Sequence, residues 1–251
     1  MARPNAWKVG VLLVFAAAIS VAAPVRTFKT IASFGGTNGA RPDAVLVQGT
    51  DGNFYGTTVT GSGNSYNGAV FKVTPAGKLT MLYRFCSQTN CVDGSFPYAG
   101  LVQATDGNFY GTTEQGGANN NDSSCFDSGC GTVFKITSTG KLTTLYSFCA
   151  QSNCSDGSAP VAALVQARSG NLYGTTAHGG ANVDAGTVFR ITPRGDLTTI
   201  YNFCSQSNCT DGGAPQAGLI QAKDGNLYGT TISGGAHLGT WHVRAYGECC
   251  G

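Results

Sequence analysis

The ten cysteines of this chain are the residues whose spacing most readily suggests chemistry. Three pairs recur with four residues between the partners: Cys86/Cys91, Cys149/Cys154 and Cys204/Cys209. A fourth pair, Cys125/Cys130, has the same spacing. Cysteines placed this way either join as disulfides in an oxidising compartment or ligate a metal. A structural zinc wants four convergent ligands. These pairs are expected in different structural units, and no histidine accompanies them. The reading is therefore four disulfides, Cys86–Cys91, Cys125–Cys130, Cys149–Cys154 and Cys204–Cys209, with no metal site and no cofactor. Each closes a short loop, worth about 2 kcal/mol by chain-entropy arithmetic. Cys249 and Cys250 are adjacent and have no counterpart elsewhere.

The remaining polar residues point more weakly to a site. Asp93, Asp156 and Asp211 each precede a glycine just after a cysteine pair. Calcium needs six to eight oxygens, commonly from several carboxylates close in sequence. That density is absent, so these read as Asp-Gly turns, as do Asp51, Asp106 and Asp224. The histidines are His178, His237 and His242. No Gly-x-Ser-x-Gly elbow or His-Glu-x-x-His pattern accompanies them, and a general base needs a positioned partner. Glutamate occurs only at Glu114 and Glu248, which argues against the carboxylate pair of a glycosidase. No catalytic residue is assigned. Gln48, Gln103, Gln166 and Gln221 recur at matching positions. Lining a central channel, they would bind a polar ligand such as a glycan; otherwise they satisfy backbone groups between neighbouring units.

The elements that position these residues are legible as repeats. The phrase Asp-Gly-Asn-Phe-Tyr-Gly-Thr-Thr at residues 51–58 returns, with small changes, at 106–113, 169–176 and 224–231. Successive copies lie 55, 63 and 55 residues apart. The longer interval comes from eight extra residues around 119–130. Each unit carries four strand-like pieces separated by Gly-rich turns. The fourth piece, residues 142–148, puts Leu142, Thr144, Tyr146 and Phe148 on one face if it alternates as a strand does. Phe71, Phe134 and Phe189 are equivalent, as are Tyr83, Tyr146 and Tyr201, and both sets are expected to pack between units. The expected fold is all-β, a β-propeller-like array of four-stranded antiparallel blades, about four in number.

Residues 1–23 read as a signal peptide. Arg3 and Lys8 precede a short apolar run, and small residues follow at Ser20, Ala22 and Ala23. Its removal leaves 13 basic and 13 acidic residues, a formal charge of zero. A neutral surface gives no electrostatic capture of phosphate backbones, so nucleic acid is not expected as a partner. No further apolar run has spanning length. The expectation is an exported protein, extracellular, periplasmic or at the cell surface. Residues 24–251 form the repeat domain, with units at 25–34 (partial), 42–85, 97–148, 160–203 and 215–246 (incomplete).

The recurring Leu-Tyr-x-Phe-Cys, Asp-Gly-Asn-Phe-Tyr-Gly-Thr-Thr and Gly-Thr-Val-Phe-Lys-Ile-Thr phrases resemble the GloVer tandem repeat of bacterial choice-of-anchor tandem repeat proteins. The resemblance covers residues 25–240, nearly the whole mature chain. It implies an exported, propeller-like bacterial protein, often with a C-terminal sorting or anchoring segment. It implies no catalytic residues. This chain has fewer repeats than that pattern and no recognisable anchor.

Two arrangements fit the ends. Residues 25–34 match the fourth strand of a unit, and 240–246 a degenerate third strand, so the termini together complete one blade and close a four-bladed ring. Alternatively the repeat pattern, lost abruptly after Thr240, marks a fragment with an open arc and exposed sheet edges. The functional expectation is a non-enzymatic platform binding a polar ligand, a glycan or another surface protein. The alternatives are a carbohydrate-active propeller enzyme and a truncated, non-functional fragment.

Overall fold

The computed structural model describes residues 28–35, 38–61, 67–119, 125, 129–236 and the backbone of 243–246. The signal segment 1–23, His237, His242, Glu248, Cys249 and Cys250 lie outside the described residues. The chain divides into two units, Met1–Thr30 and Ile31–Gly251. Of the first, only residues 28–30 are described, and they are exposed. Every described strand belongs to the second unit.

These strands form four antiparallel sheets. The first holds β1 (Val47–Gln48), β2 (Phe54–Thr58), β3 (Ala69–Val73) and β4 (Leu79–Arg84). The second holds β5 (Val102–Gln103), β6 (Phe109–Thr113), β7 (Thr132–Ile136) and β8 (Leu142–Ser147). The third holds β9 (Val165–Gln166), β10 (Leu172–Thr176), β11 (Thr187–Ile191) and β12 (Leu197–Asn202). The fourth has three strands, β13 (Ile220–Gln221), β14 (Leu227–Thr230) and β15 (Val243–Tyr246). Within every sheet, neighbours in sequence are neighbours in space, which is the blade order of a propeller.

The core confirms the blade reading, because it lies between sheets. Tyr55, Val70 and Phe85 of the first blade bury against Leu101, Phe109 and Phe134 of the second. Tyr110, Val133 and Phe148 meet Leu164, Leu172 and Phe189 of the third. Tyr173, Val188 and Phe203 meet Leu219 and Leu227 of the fourth. Ring contacts recur across the seams: Phe85–Phe134 at 5.1 Å and Phe148–Phe189 at 5.2 Å, both edge to face. Each fully buried ring contributes about 1.5–3 kcal/mol relative to exposure. A single sheet has nothing of its own to cover these faces, so the repeats hold one another.

Three sequence expectations change here. The outer strand does not alternate simply. Phe134 pairs Thr144 while Val133 pairs Tyr146, so Leu145 is an unpaired bulge residue. The extra residue turns Tyr146 to the face opposite Leu142 and Thr144. The same bulge occurs at Leu82 and Ile200. It has a use: the carbonyls of Leu82 and Leu145 approach the next blade where Gly140 and Gly195 sit at φ +94° and +104°, and a Cβ there would run into them. Secondly, residues 28–34 of the anticipated fourth strand carry no strand ladder. Residues 31–34 still occupy the seat of a preceding blade's outer strand. The Ile31 carbonyl faces Gly77 as Leu82 faces Gly140, and Phe34 meets Phe71 at 4.9 Å. Thirdly, β15 does pair with β14, but residues 31–34 do not complete that sheet.

Candidate functional site

The antiparallel order puts the end of the second strand, the start of the third and the end of the fourth at one end of every blade. The long loops gather there, and so do the cysteine turns. Each turn folds over a buried aspartate. Asp211 Oδ2 accepts from the Tyr201 hydroxyl at 2.6 Å, from Ser205 N at 2.9 Å and from Ser205 Oγ at 2.8 Å, while Oδ1 accepts from Gln206 N. Asp93 with Tyr83 and Asp156 with Tyr146 repeat the arrangement. Burial alone would raise the Asp211 carboxyl, but these donors outweigh it and hold it at about 2. The oxygens face N–H and O–H donors. These aspartates are more than local turn formers, because each ties the outer strand to a turn several residues on.

Tyr83, Tyr146 and Tyr201 pack against the cores between blades, as expected, and also anchor the turn of their own repeat, their rings edge-on to Phe85, Phe148 and Phe203. Asp51, Asp106 and Asp224 do behave as turn residues. Each accepts from the backbone N–H two positions on, and also from a tyrosine hydroxyl, as Asp51 does from Tyr55 at 2.8 Å.

All four cysteine pairs are joined as disulfides. In three turns both cysteines and the intervening asparagine have left-handed backbone, for example Cys149 at φ 61°, Asn153 at 56° and Cys154 at 50°. That conformation is costly for a non-glycine residue. The cross-link and the buried aspartate together hold it. In the first repeat Gly39 stands at the equivalent of Gly94, and Asn38 Oδ1 accepts from Gly35 N at 2.7 Å in place of the aspartate.

The sequence placed the cysteine pairs apart, and one pairing of neighbours departs from that. The inserted loop of repeat two brings Cys125–Cys130 onto Cys149–Cys154. All four sulfurs lie within 4.8 Å of one another, with Cys130 and Cys154 Sγ 3.9 Å apart. As two disulfides they offer no thiolate to a metal. The contact would instead put any thiolate freed from one pair within reach of the other disulfide.

Three of the four glutamines are tied to the preceding repeat. Gln103 Oε1 accepts from Thr50 N at 2.9 Å, Gln166 Oε1 from Thr105 N at 2.9 Å, and Gln221 Oε1 from Arg168 N at 3.0 Å. Each Nε2 donates to the turn of its own blade, at Gly107, Gly170 and Gly225. Gln48 Nε2 does the same to Gly52. A second latch, unread in the sequence, joins the same seams: Thr57 Oγ1 donates to Ala99 O at 2.9 Å and Thr112 Oγ1 to Ala162 O at 3.2 Å.

Two further features have chemical content. Where blades two and three meet, half-buried Glu114 lies within electrostatic reach of His178. Burial raises the Glu114 carboxyl and the histidine partly offsets this. His178 Nδ1 is 3.2 Å from Asp184 Oδ2. Nearby, a pocket of about 430 Å³ lies between the cysteine turn of repeat two and the outer strand of blade three. Gln151, Ser155, Thr198, Thr199 and Asn202 line it. The buried Thr199 Oγ1 has no partner among the described residues.

Fold and seams define an all-β, propeller-like tandem-repeat protein. A family model described as a Gloeobacter/Verrucomicrobia repeat matches residues 18–149 and 122–241. The chain belongs to the Gloeobacter/Verrucomicrobia repeat family. A search of curated proteins finds no match. Among solved structures, a luciferin-regenerating enzyme is similar at 13% identity and a TM-score of 0.46, over 81% of this chain and 61% of that one. A protein assigned as a gluconolactonase is similar at 13% identity and 0.43, over 74% and 56%. The extracellular domain of a hybrid two-component system of B. thetaiotaomicron gives 13% and 0.37, over 82% and 27%. The chain thus spans less than two thirds of the length of each.

Proposed function

We propose that this repeat protein is exported and serves as a non-enzymatic binding platform for a neutral polar ligand such as a glycan, outside the cytoplasm. The four disulfides support export. Among the described residues no helix is long and apolar enough to cross a membrane. The observation that carries the binding reading is the pocket beside blade three. Its polar lining is made of uncharged amides and hydroxyls, the groups that exchange hydrogen bonds with sugar hydroxyls. The row of glutamines is a second candidate surface, although Gln103, Gln166 and Gln221 already bridge the blades.

A glycan array with the oxidised chain tests this. Binding without product release supports the platform. Ser155→Trp, which fills the pocket, should abolish binding, whereas Gln103→Ala with Gln166→Ala should not. The reverse pattern would move the site to the glutamines, and no binding to any glycan would refute the glycan reading.

One observation favours an enzyme acting on carbohydrate instead. Glu114 with a raised carboxyl, near His178 and its Asp184 partner, has the composition of an acid–base pair. Release of a reducing sugar that disappears in Glu114→Gln would establish that reading.

A further inference from the structure

The seams between blades repeat one contact, and the two outer faces of the array keep its unmatched halves. On the first blade, Leu46 is 49% exposed, whereas its equivalents Leu101, Leu164 and Leu219 are 5–6% exposed against the blade before them. Phe54 is only half-buried where Phe109, Leu172 and Leu227 are fully buried. On the last blade, Ile232 is 49% exposed, whereas its apolar equivalents Val59 and Ala177 are 1–2% exposed and the equivalent Glu114 is half-buried. The polar latches are split in the same way. Gln48 Oε1 corresponds to the glutamine oxygens that accept from Thr50, Thr105 and Arg168. Lys223 N corresponds to those donors. Neither has a partner among the described residues. Thr230 corresponds to Thr57 and Thr112, and Ala44 to the carbonyls they reach.

The strand inventory divides at the same place. Among the described residues the last sheet has three strands, and no further strand pairs with the outer edge of β15. Residues 31–34 already lie against the first blade, in the seat of a preceding blade's fourth strand, with Phe34 on Phe71. The head of the array thus carries a segment in the seat of the outer strand for which β15 has no partner among the described residues.

We propose that the last blade of one copy docks on the first blade of a second copy, head to tail, through the contact that joins successive blades within the chain. In the docked pair, residues 31–34 of the second copy lie beside β15 as its fourth strand. Tyr228 stacks on Phe54 as Tyr55 stacks on Phe109 at 4.0 Å. Lys223 N donates to Gln48 Oε1, and Thr230 Oγ1 to Ala44 O. The occupant is a copy of this chain because continuity with the three internal seams specifies every group it must present. Such a contact is heterologous, so it closes into a ring or extends as a filament according to the rotation per blade.

Light scattering on the full oxidised chain after size exclusion, at micromolar concentration, tests the proposal. The expected mass is two chains or more. Leu46→Asp blocks only the head and Ile232→Asp only the tail, so each alone should run at the mass of one chain. An equal mixture of the two variants should give a two-chain complex and nothing larger. Val183→Asp, on an exposed loop of the third repeat, should leave the wild-type mass unchanged. A wild-type mass of one chain overturns the proposal, including the case in which the two ends close on each other. Dissociation by Val183→Asp also overturns it, since association would then be unspecific. Both test positions are half-exposed, and circular dichroism verifies that each variant folds. If one does not, an undiminished mass in the other is sufficient refutation.

Discussion

The hydroxyl of Tyr201 donates to Oδ2 of Asp211 at 2.6 Å, ten residues further along the chain. The pair closes the third cysteine turn over the end of β12. Truncating Asp211 to alanine leaves the part-buried donors of Tyr201, Ser205 and Gln206 without their acceptor, at a cost of about 1–2 kcal/mol. The carboxyl is held at about 2, against an ordinary 3.8. A depressed carboxyl stabilises the fold fully above its unfolded value, and that contribution is lost as pH falls from about 4 towards 2. Allowing for solvent screening, the loss is about 1 kcal/mol. Thermal unfolding of wild type and Asp211→Ala across this range should show the gap between them narrowing with acid. Parallel curves would refute the assignment.

The glutamine latches predict a position-dependent cost. Gln166→Ala removes the acceptor of Thr105 N and should lose about 1 kcal/mol. Gln48→Ala, at a chemically identical position with no preceding blade among the described residues, should change stability by only a few tenths of a kcal/mol in dilute solution. Urea unfolding of the two variants checks this. Equal losses would mean that Gln48 is already bonded elsewhere.

How much of this was legible in the sequence depends on range. The strands, turns and blade class were readable because the repeat states them four times and Gly, Asp and Asn mark every turn. The Asx turns at Asp51 and Asp106 were readable because their bonds reach only two residues. The reach of Asp93, Asp156 and Asp211 to a tyrosine was missed, since an Asp-Gly dipeptide looks the same in either role. The bulge at Leu145 was missed because an unpaired residue leaves no mark on an apolar-polar alternation until the partner strand is known. Glu114 and His178 lie in different repeats, so only the packing of blades brings them together. The recurrence of Thr57, Thr112, Thr175 and Thr230 was the signal that would have revealed the second latch.

Glu114 gives a prediction of opposite sign to Asp211. Burial raises its carboxyl above the ordinary 4.5, so the fold favours the protonated form. Its penalty therefore appears as pH rises through the folded value and is absent below about 4.5. Glu114→Gln should melt higher than wild type at neutral pH and equal to it at pH 4. Melting by circular dichroism at the two pH values decides it; a variant less stable at neutral pH would show that the charged carboxylate is bound favourably.

The paired disulfides of repeat two predict a rearrangement. In Cys125→Ser the freed Cys130 thiolate lies beside Cys154. Attack on that sulfur forms Cys130–Cys154 and releases Cys149 as the thiolate, with no net oxidation. Peptide mapping of the variant should find both Cys149–Cys154 and Cys130–Cys154 linkages. Cys91→Ser in repeat one, with no second disulfide in contact among the described residues, should leave only an unpaired Cys86.

The uniform seam has a bearing on how such a gene can change. At each seam the earlier blade offers a backbone N–H, a threonine donor and a ring, and the later blade offers a glutamine acceptor and a carbonyl in the same places. Excising or duplicating one period therefore joins two surfaces that already fit. Unequal recombination within the repeats would yield shorter and longer arrays without first passing through a chain that cannot fold. Array length can then drift freely, while the residues at the seam cannot.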